Sequence, residues 1–224
     1  MEINIQKKVL EANETQADIN RQFFKKHNTF VLNMMSSPGS GKTETLCRTL
    51  GKLMPGIRVG VIVGDICTTN DADRLEVTGA RVTQINTDKF GGDCHLAANL
   101  ILDSAQRLGC GDLDLLIVEN IGNLVCPAEF DIGEDARVVV LSVTEGEDKP
   151  LKYPLMFRVA DVAILNKIDL LPYLDFDAGL AVDNMKKVHP RLPVFEISAK
   201  TEEGFEPWLE WLKINVFEKT GTGL

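Results

Sequence analysis

Short apolar runs alternate along this chain with stretches whose apolar positions recur every three or four residues, the two periods that separate buried strands from amphipathic helices. The runs predict strands near 29–35, 58–64, 81–86, 113–119, 137–143, 161–166 and 193–197. The intervening stretches predict helices over about 42–53, 70–78, 94–108, 151–158, 177–188 and 204–218. Runs such as Leu115-Leu-Ile-Val and Val138-Val-Val-Leu-Ser-Val are apolar at every position, as strands covered on both faces must be. Ahead of them, Ile5, Val9, Leu10, Ala17, Ile19, Phe23 and Phe24 are spread among charges, which predicts one or two N-terminal amphipathic helices lying outside the sheet. The alternation gives an α/β fold: a doubly wound, mostly parallel sheet of about seven strands flanked by helices, with its ligand at the carboxyl ends of the strands. The expected division is a helical segment over 1–28 and one α/β domain over 29–224.

Length and charge narrow the picture. The 224 residues suffice for one large domain with a full core. A formal net charge of −9 disfavours a non-specific grip on nucleic acid or an anionic membrane. Met1-Glu-Ile-Asn-Ile-Gln-Lys-Lys has no apolar signal core and no run is long enough to span a bilayer, so a cytoplasmic location is expected. Cys47, Cys67, Cys94, Cys110 and Cys126 form no regular framework, which argues for reduced thiols and leaves metal binding open. Cys47 and Cys110 read as core or surface residues, and His27 and His189 as solvent-facing.

The first strand runs into Ser36-Ser-Pro-Gly-Ser-Gly-Lys42-Thr43, a phosphate-binding loop. Small residues let successive backbone N–H groups curl around phosphates, Lys42 sets a cation on the β- and γ-phosphates, and the Thr43 hydroxyl can ligate Mg²⁺. Gly39, Ser40, Gly41, Lys42, Thr43 and Glu44 are therefore the expected phosphate-binding residues, and the helix that follows aims its N-terminus at the same anion. Ser36 stands where such loops usually begin with Gly.

Two further strand ends choose the base. Asn166-Lys167-Ile-Asp169 offers a carboxylate to the N1–H and N2–H₂ donors of guanine, donors that adenine lacks at those positions. The Lys167 stem can lie along the base, and Ser198-Ala199-Lys200 is placed to bring a backbone N–H to guanine O6. Hydrolytic parts follow the same rule. Glu119, at the end of its strand, can bind Mg²⁺, and the Gly122 N–H can sense the γ-phosphate. Asp65, after the second strand, is placed to contact Mg²⁺ or to orient the attacking water. With Lys42, Asp65 and Glu119 as the catalytic set and no internal arginine finger assignable, slow intrinsic GTP turnover to GDP is expected.

Cys94 and His95 are neighbours at an expected helix start, and Cys126 lies four residues after Gly122. A helix N-terminus favours the thiolate, the metal-binding form. Adjacent Cys and His point apart, so two copies across a dimer would complete a site more readily than one. Thiolates with imidazole suit Zn²⁺ in tetrahedral or Ni²⁺ in square-planar geometry.

In this order the motifs resemble one family. Ser-Ser-Pro-Gly-Ser-Gly-Lys-Thr, Gly64-Asp-x-x-Thr-x-Asn-Asp-Ala-Asp73-Arg, Cys94-His95-Leu, Glu119-Asn-Ile-Gly-Asn-Leu-Val-Cys126-Pro, Val143-Thr-Glu-Gly-Glu-Asp-Lys-Pro-Leu-Lys-Tyr-Pro154 and Asn-Lys-Ile-Asp are similar to those of the HypB GTPases, of the SIMIBI class of P-loop proteins, over about 29–218. The resemblance implies GTP-dependent homodimerisation, a nickel or zinc site of Cys94, His95 and Cys126 at the dimer interface, a HypA-type partner, and nickel insertion into the large-subunit precursor of NiFe-hydrogenase. Three departures qualify it. Ala97 stands where the family usually has Asp, the approach over 86–93 is longer than usual, and neither a Cys-x-x-Cys-Gly-Cys nor a His-rich nickel store is present. Ser37 replaces the signature lysine of many SIMIBI ATPases, so no intermolecular lysine contact can be read from the loop. The urease nickel GTPases are the near alternative, but they carry Cys-Pro-His. A nucleotide switch with incidental cysteines is the distant one.

Overall fold

The seven apolar runs form β1 (Phe30–Ser36), β2 (Val59–Asp65), β3 (Arg81–Asn86), β4 (Leu115–Gly122), β5 (Ala136–Ser142), β6 (Val162–Asn166) and β7 (Val194–Glu196). They pair in the order β3-β2-β4-β1-β5-β6-β7, every pair parallel. The computed structural model describes residues 2–53, 56–65, 70–87 and 95–221. Between the strands lie α1 (Glu2–His27), α2 (Lys42–Leu53), α3 (Asn70–Glu76), α4 (Ala98–Arg107), α5 (Cys126–Glu129), α6 (Lys149–Lys152), α7 (Pro154–Val159), α8 (Ala178–Val188) and α9 (Phe205–Thr220).

Successive strand side chains point to opposite faces, and the core divides accordingly. Leu32 and Met34 of β1 face Leu46 and Leu50 of α2 and Trp208 of α9. Val31 belongs to the opposite layer with Phe24 of α1 and Ile101 of α4, and Met35 to a third cluster with Phe157 of α7 and Met185 of α8. Helices thus cover both faces, and the sheet is doubly wound. Its middle strand β1 lies between β4 and β5, with α2 leading away toward β2. The crevice outside the carboxyl end of β1 is the topological switch point at which such sheets bind ligands. The Trp208 indole Nε1–H donates to Thr49 Oγ1 at 3.0 Å, fastening α9 to the helix that follows the phosphate loop.

Several local expectations change, among them the helix expected over 94–108, in which α4 begins only at Ala98 and His95 precedes it rather than opening it. The N-terminal pattern forms one continuous helix whose inward face is only partly the apolar one expected: Ala17 and Phe24 are buried, but Val9 and Ile19 are about half exposed, while Asn13, Gln16 and Asn20 turn inward. The helix expected over 151–158 is broken between α6 and α7 at Pro154, which has no N–H to continue the first and suits the first turn of the second. His27 is half-buried with its ring 4.6 Å from that of Phe23, and His189 is half-buried with Nδ1 enclosed. Cys47 packs against the first core cluster and Cys110 is buried in the second. Among the described residues no helix is long and apolar enough to cross a membrane.

Candidate functional site

β1 ends in Ser36, and the chain turns through Ser37–Gly41 into α2 with Gly39 at φ 75° and Gly41 at φ 93°. Those left-handed conformations are strained for residues with a Cβ. At Gly41 space is also closed, since a Cβ would lie 2.5 Å from Asn166 Nδ2. Pro38, Gly39, Gly41, Lys42, Thr43 and Glu44 line a cleft of about 490 Å³ with Asp65, Glu119 and Gly122. Ser40 is buried beneath it. Gly122 sits where a Cβ would be 3.0 Å from Pro38 Cα, so β4 delivers its carboxyl end directly against the loop.

Inside the cleft the buried Lys42 ammonium donates from Nζ to Ser36 Oγ at 2.8 Å. The serine in place of the first glycine therefore gives the lysine a partner. Burial lowers the Lys42 pKa, opposed by the fields of surrounding carboxylates, Glu119 first among them. Glu119 is buried too, and desolvation raises its pKa to about 7 against the pull of Lys42 and of the Thr43 hydrogen bond. The Thr43 hydroxyl donates to Glu119 Oε1 at 2.7 Å, whereas Glu119 Oε2 is buried with no hydrogen-bond partner. A hydroxyl beside a carboxylate with one uncommitted buried oxygen is an all-oxygen donor set, and that chemistry fits Mg²⁺. Asp65, at the end of β2, is half-buried on the same cleft.

The base-side residues are fastened to the phosphate loop. Asn166 Nδ2 donates to the Ser40 carbonyl at 2.9 Å, and Lys167 Nζ to the Gly39 carbonyl at 2.7 Å. Asn166 Oδ1 accepts from the N–H groups of Lys167 (2.7 Å) and Ala199 (3.1 Å), and Ser198 Oγ donates to Asp169 Oδ1 at 2.6 Å. The Ala199 N–H expected at guanine O6 is thus held by Asn166 in this structure, while Lys200 is exposed.

Sequence reasoning passed over three groups. Arg74 and Asp71 of α3 line the cleft, with Arg74 ion-paired to Glu44 and, at 3.7 Å, to Asp71. Arg74 stands inside a motif noted in the sequence, but only the fold carries α3 to the phosphate loop. Glu145, after β5, accepts from Ser37 Oγ and, at 3.0 Å, from the Ser142 N–H. A carboxylate four strands further along the sequence thus pins the phosphate loop.

The expected metal ligands are only partly in view. Cys94, like Cys67, lies outside the described residues. His95 is half-buried and stacks on Phe130, ring centroids 3.6 Å apart and planes at 21°. Cys126 begins α5, half-buried, with Asn123 Nδ2 donating to its sulfur at 3.4 Å. Phe130 directly follows α5, so the structure brings the His95 and Cys126 segments side by side. Among the described residues no three His, Cys, Asp or Glu side chains form a group that could hold a metal ion.

The family model for the CobW/HypB/UreG nucleotide-binding domain matches residues 30–196. The hydrogenase maturation factor HypB of Rhizobium leguminosarum is 50% identical over 213 residues, covering 95% of this chain and 70% of that protein. The crystal structure of HypB from Archaeoglobus fulgidus superposes with a TM-score of 0.85 at 36% identity, covering 92% of this chain and 99% of the other. HypB from Helicobacter pylori, solved in complex with nickel, gives 0.84 at 36% identity and covers 95% and 100%.

Proposed function

This chain belongs to the HypB group of the CobW/HypB/UreG nucleotide-binding family, and on that premise we propose that it is a GTP-hydrolysing metallochaperone that carries nickel for NiFe-hydrogenase maturation. The observation that carries the hydrolytic half is the pair of Thr43 and Glu119, with Glu119 Oε2 buried and uncommitted at the floor of the cleft.

When bound there, Mg²⁺ supplies charge neutralisation at the β- and γ-phosphate oxygens. The chain's own residues do the rest. Lys42, Gly39, Ser40, Gly41, Thr43 and Glu44 hold the phosphates, with the Lys42 cation where negative charge shifts during transfer. Asp65 orients the attacking water, and the Gly122 N–H responds to the γ-phosphate. Asp169, held by Ser198, accepts from guanine, and the Ala199 N–H exchanges its Asn166 partner for O6. The Lys167 stem supports the base, and Asn166 keeps base site and phosphate loop in register. Lys200 completes the segment as an exposed residue at the base edge.

Nickel is the cargo. Cys94, His95 and Cys126 are its proposed ligands, drawn from both copies of a GTP-bound homodimer, with Zn²⁺ the competing ion. Support comes from the stacking of His95 on Phe130 beside Cys126, and from the nickel bound by the H. pylori relative. The segment from Gly122 to Cys126 joins the two sites: hydrolysis moves Gly122 and re-aims the Cys126 thiolate. The domain over 29–224 works in the cytoplasm with a HypA-type partner and the hydrogenase large-subunit precursor, without nucleic acid or membrane.

The test is Ni²⁺ affinity and stoichiometry with GDP and with a non-hydrolysable GTP analogue, alongside the sedimented mass of each state. One ion per dimer, with an affinity that differs between the nucleotides, is expected. Identical affinity and identical mass in both states would leave a GTPase with a merely adjacent thiol.

A further inference from the structure

The inward face of α1 carries polar side chains that neither the nucleotide cleft nor the core uses. Asn13 and Asn20 lie seven residues apart, on one side of the helix. Asn13 Oδ1 accepts from the Ala98 N–H at 3.0 Å, and its Nδ2 donates to the Asp131 carbonyl at 2.7 Å. Asn20, with no exposed surface, donates from Nδ2 to the carbonyls of Ala98 at 2.7 Å and Ile132 at 2.9 Å. Gln16 donates to Asn20 Oδ1 at 3.1 Å, which fixes the way that amide faces. Each asparagine therefore ties the same two segments together. One is the start of α4, three residues after His95. The other is the 131–133 turn, one residue past the Phe130 ring on which His95 stacks and five past Cys126.

Two observations show that the arrangement is built rather than incidental. α4 has Ala97 at its N-cap, with no side-chain cap of its own, so Asn13 supplies the acceptor that the local sequence omits. The helix and the turn are also in close contact: a Cβ on Gly133 would lie 2.7 Å from the Ala17 carbonyl oxygen and 2.7 Å from Asn20 Cβ. Arg21 adds an ion pair to Asp131 at 2.7 Å. An apolar stripe would bury α1 without the desolvation that amides demand. What inward-facing, hydrogen-bonded amides add is a fixed separation between the groups they join, because the bonds fail outside a narrow range of distance and angle.

We propose that Asn13 and Asn20 are positioning residues for the cargo metal: they clamp the start of α4 to the 131–133 turn and so set the separation of His95 from Cys126. The proposal rests on the reading of those two residues as ligands. α1 is then part of the metal site without touching the ion, in the way that outer groups orient ligands elsewhere.

The experiment uses the full chain with Ni²⁺ alone as probe and two clamp variants. Asn20→Ala removes both of that residue's donors. Asn13→Asp keeps an acceptor for the Ala98 N–H, and hence the cap on α4, but cannot donate to the Asp131 carbonyl, so it separates capping from clamping even if Asn20→Ala folds poorly. Ni²⁺ affinity should fall roughly 10- to 100-fold in each variant, and the nickel–thiolate absorption band should weaken or shift. GTP affinity and nickel-free GTP turnover should stay at wild-type levels, which a general loss of stability would not allow. In the metal-free protein, amides after His95 and over 130–133 should exchange faster in Asn13→Asp, while the Ala98 amide stays protected. Wild-type nickel affinity and spectrum in Asn13→Asp overturn the clamp. Cys126→Ala separates the two ideas. If it loses the ion while the clamp variants keep it, only the clamp fails. If it binds nickel as the wild type does, the ligand assignment fails and the clamp falls with it.

Discussion

Glu119 is a carboxyl far from its ordinary state at the centre of the cleft. Burial raises its carboxyl from 4.5 to about 7. Between those values the folded, nucleotide-free protein holds a proton that the unfolded chain has released. Its contribution to stability is thus fully present at low pH and is lost as pH rises through about 7, a span of about 3 kcal/mol at most. A cation at Oε2 competes with that proton. Binding of Mg²⁺ with nucleotide at about pH 6 should therefore release protons beyond those the terminal phosphate gives up, seen in calorimetry as a dependence on buffer ionisation heat that Glu119→Gln reduces. A dependence left unchanged by Glu119→Gln would remove Glu119 from the metal. Asp169 offers a second residue-scale test. Asp169→Asn should weaken GTP by about 1–3 kcal/mol and admit xanthine nucleotide, whose C2 oxygen accepts from the new amide. Competition assays with both nucleotides decide it, and wild-type protein that binds ATP as well as GTP refutes the guanine assignment.

At the scale of elements, the strands were legible because their runs are apolar throughout, and β3 and α2 fall where the pattern put them. α1 shows where the pattern misleads. Of the apolar positions that hydrophobicity marked, Ala17 and Phe24 are buried, but Val9 and Ile19 are about half exposed, and Asn13 and Asn20 are turned inward beside the buried ones. Their partners are backbone groups at 98, 131 and 132, distant in sequence, and no local period encodes such partners. Gly133 tests how tightly the helix is seated. With φ at 86° and no room for a Cβ, Gly133→Ala should destabilise the protein by about 1–3 kcal/mol, measured by denaturant unfolding. A stability unchanged from wild type would show that α1 packs loosely.

For the whole molecule, the phosphate loop, the Glu119 strand end and the Cys126 segment form one continuous path, since β4 pairs with β1 and ends against Pro38. A coupling between nucleotide and nickel must be reciprocal: if GTP and GDP states differ in nickel affinity, nickel must change the ratio of GTP to GDP affinity by the same factor. A factor of about 5–150 is expected of such a switch. Nucleotide displacement with and without Ni²⁺ measures it, and a ratio unmoved by the metal would separate the sites. Lys42→Ala should abolish turnover in the same assays.

The sequence by itself determined the sheet, the phosphate loop and the strand end that carries Asn166, Lys167 and Asp169. Each is a local matter: apolar runs must be buried, left-handed turns favour glycine, and a strand end carries its polar residues to the same edge whatever packs around it. Tertiary structure decided what depends on distant partners. It placed Arg74 and Asp71 on the cleft, set Glu145 against Ser37, and left Glu119 Oε2 buried without a partner. It also turned Asn13 and Asn20 inward to join the His95 and Cys126 segments. Hydrogen bonds between remote segments are specified by position in space, and a linear pattern holds no record of them until the chain has folded.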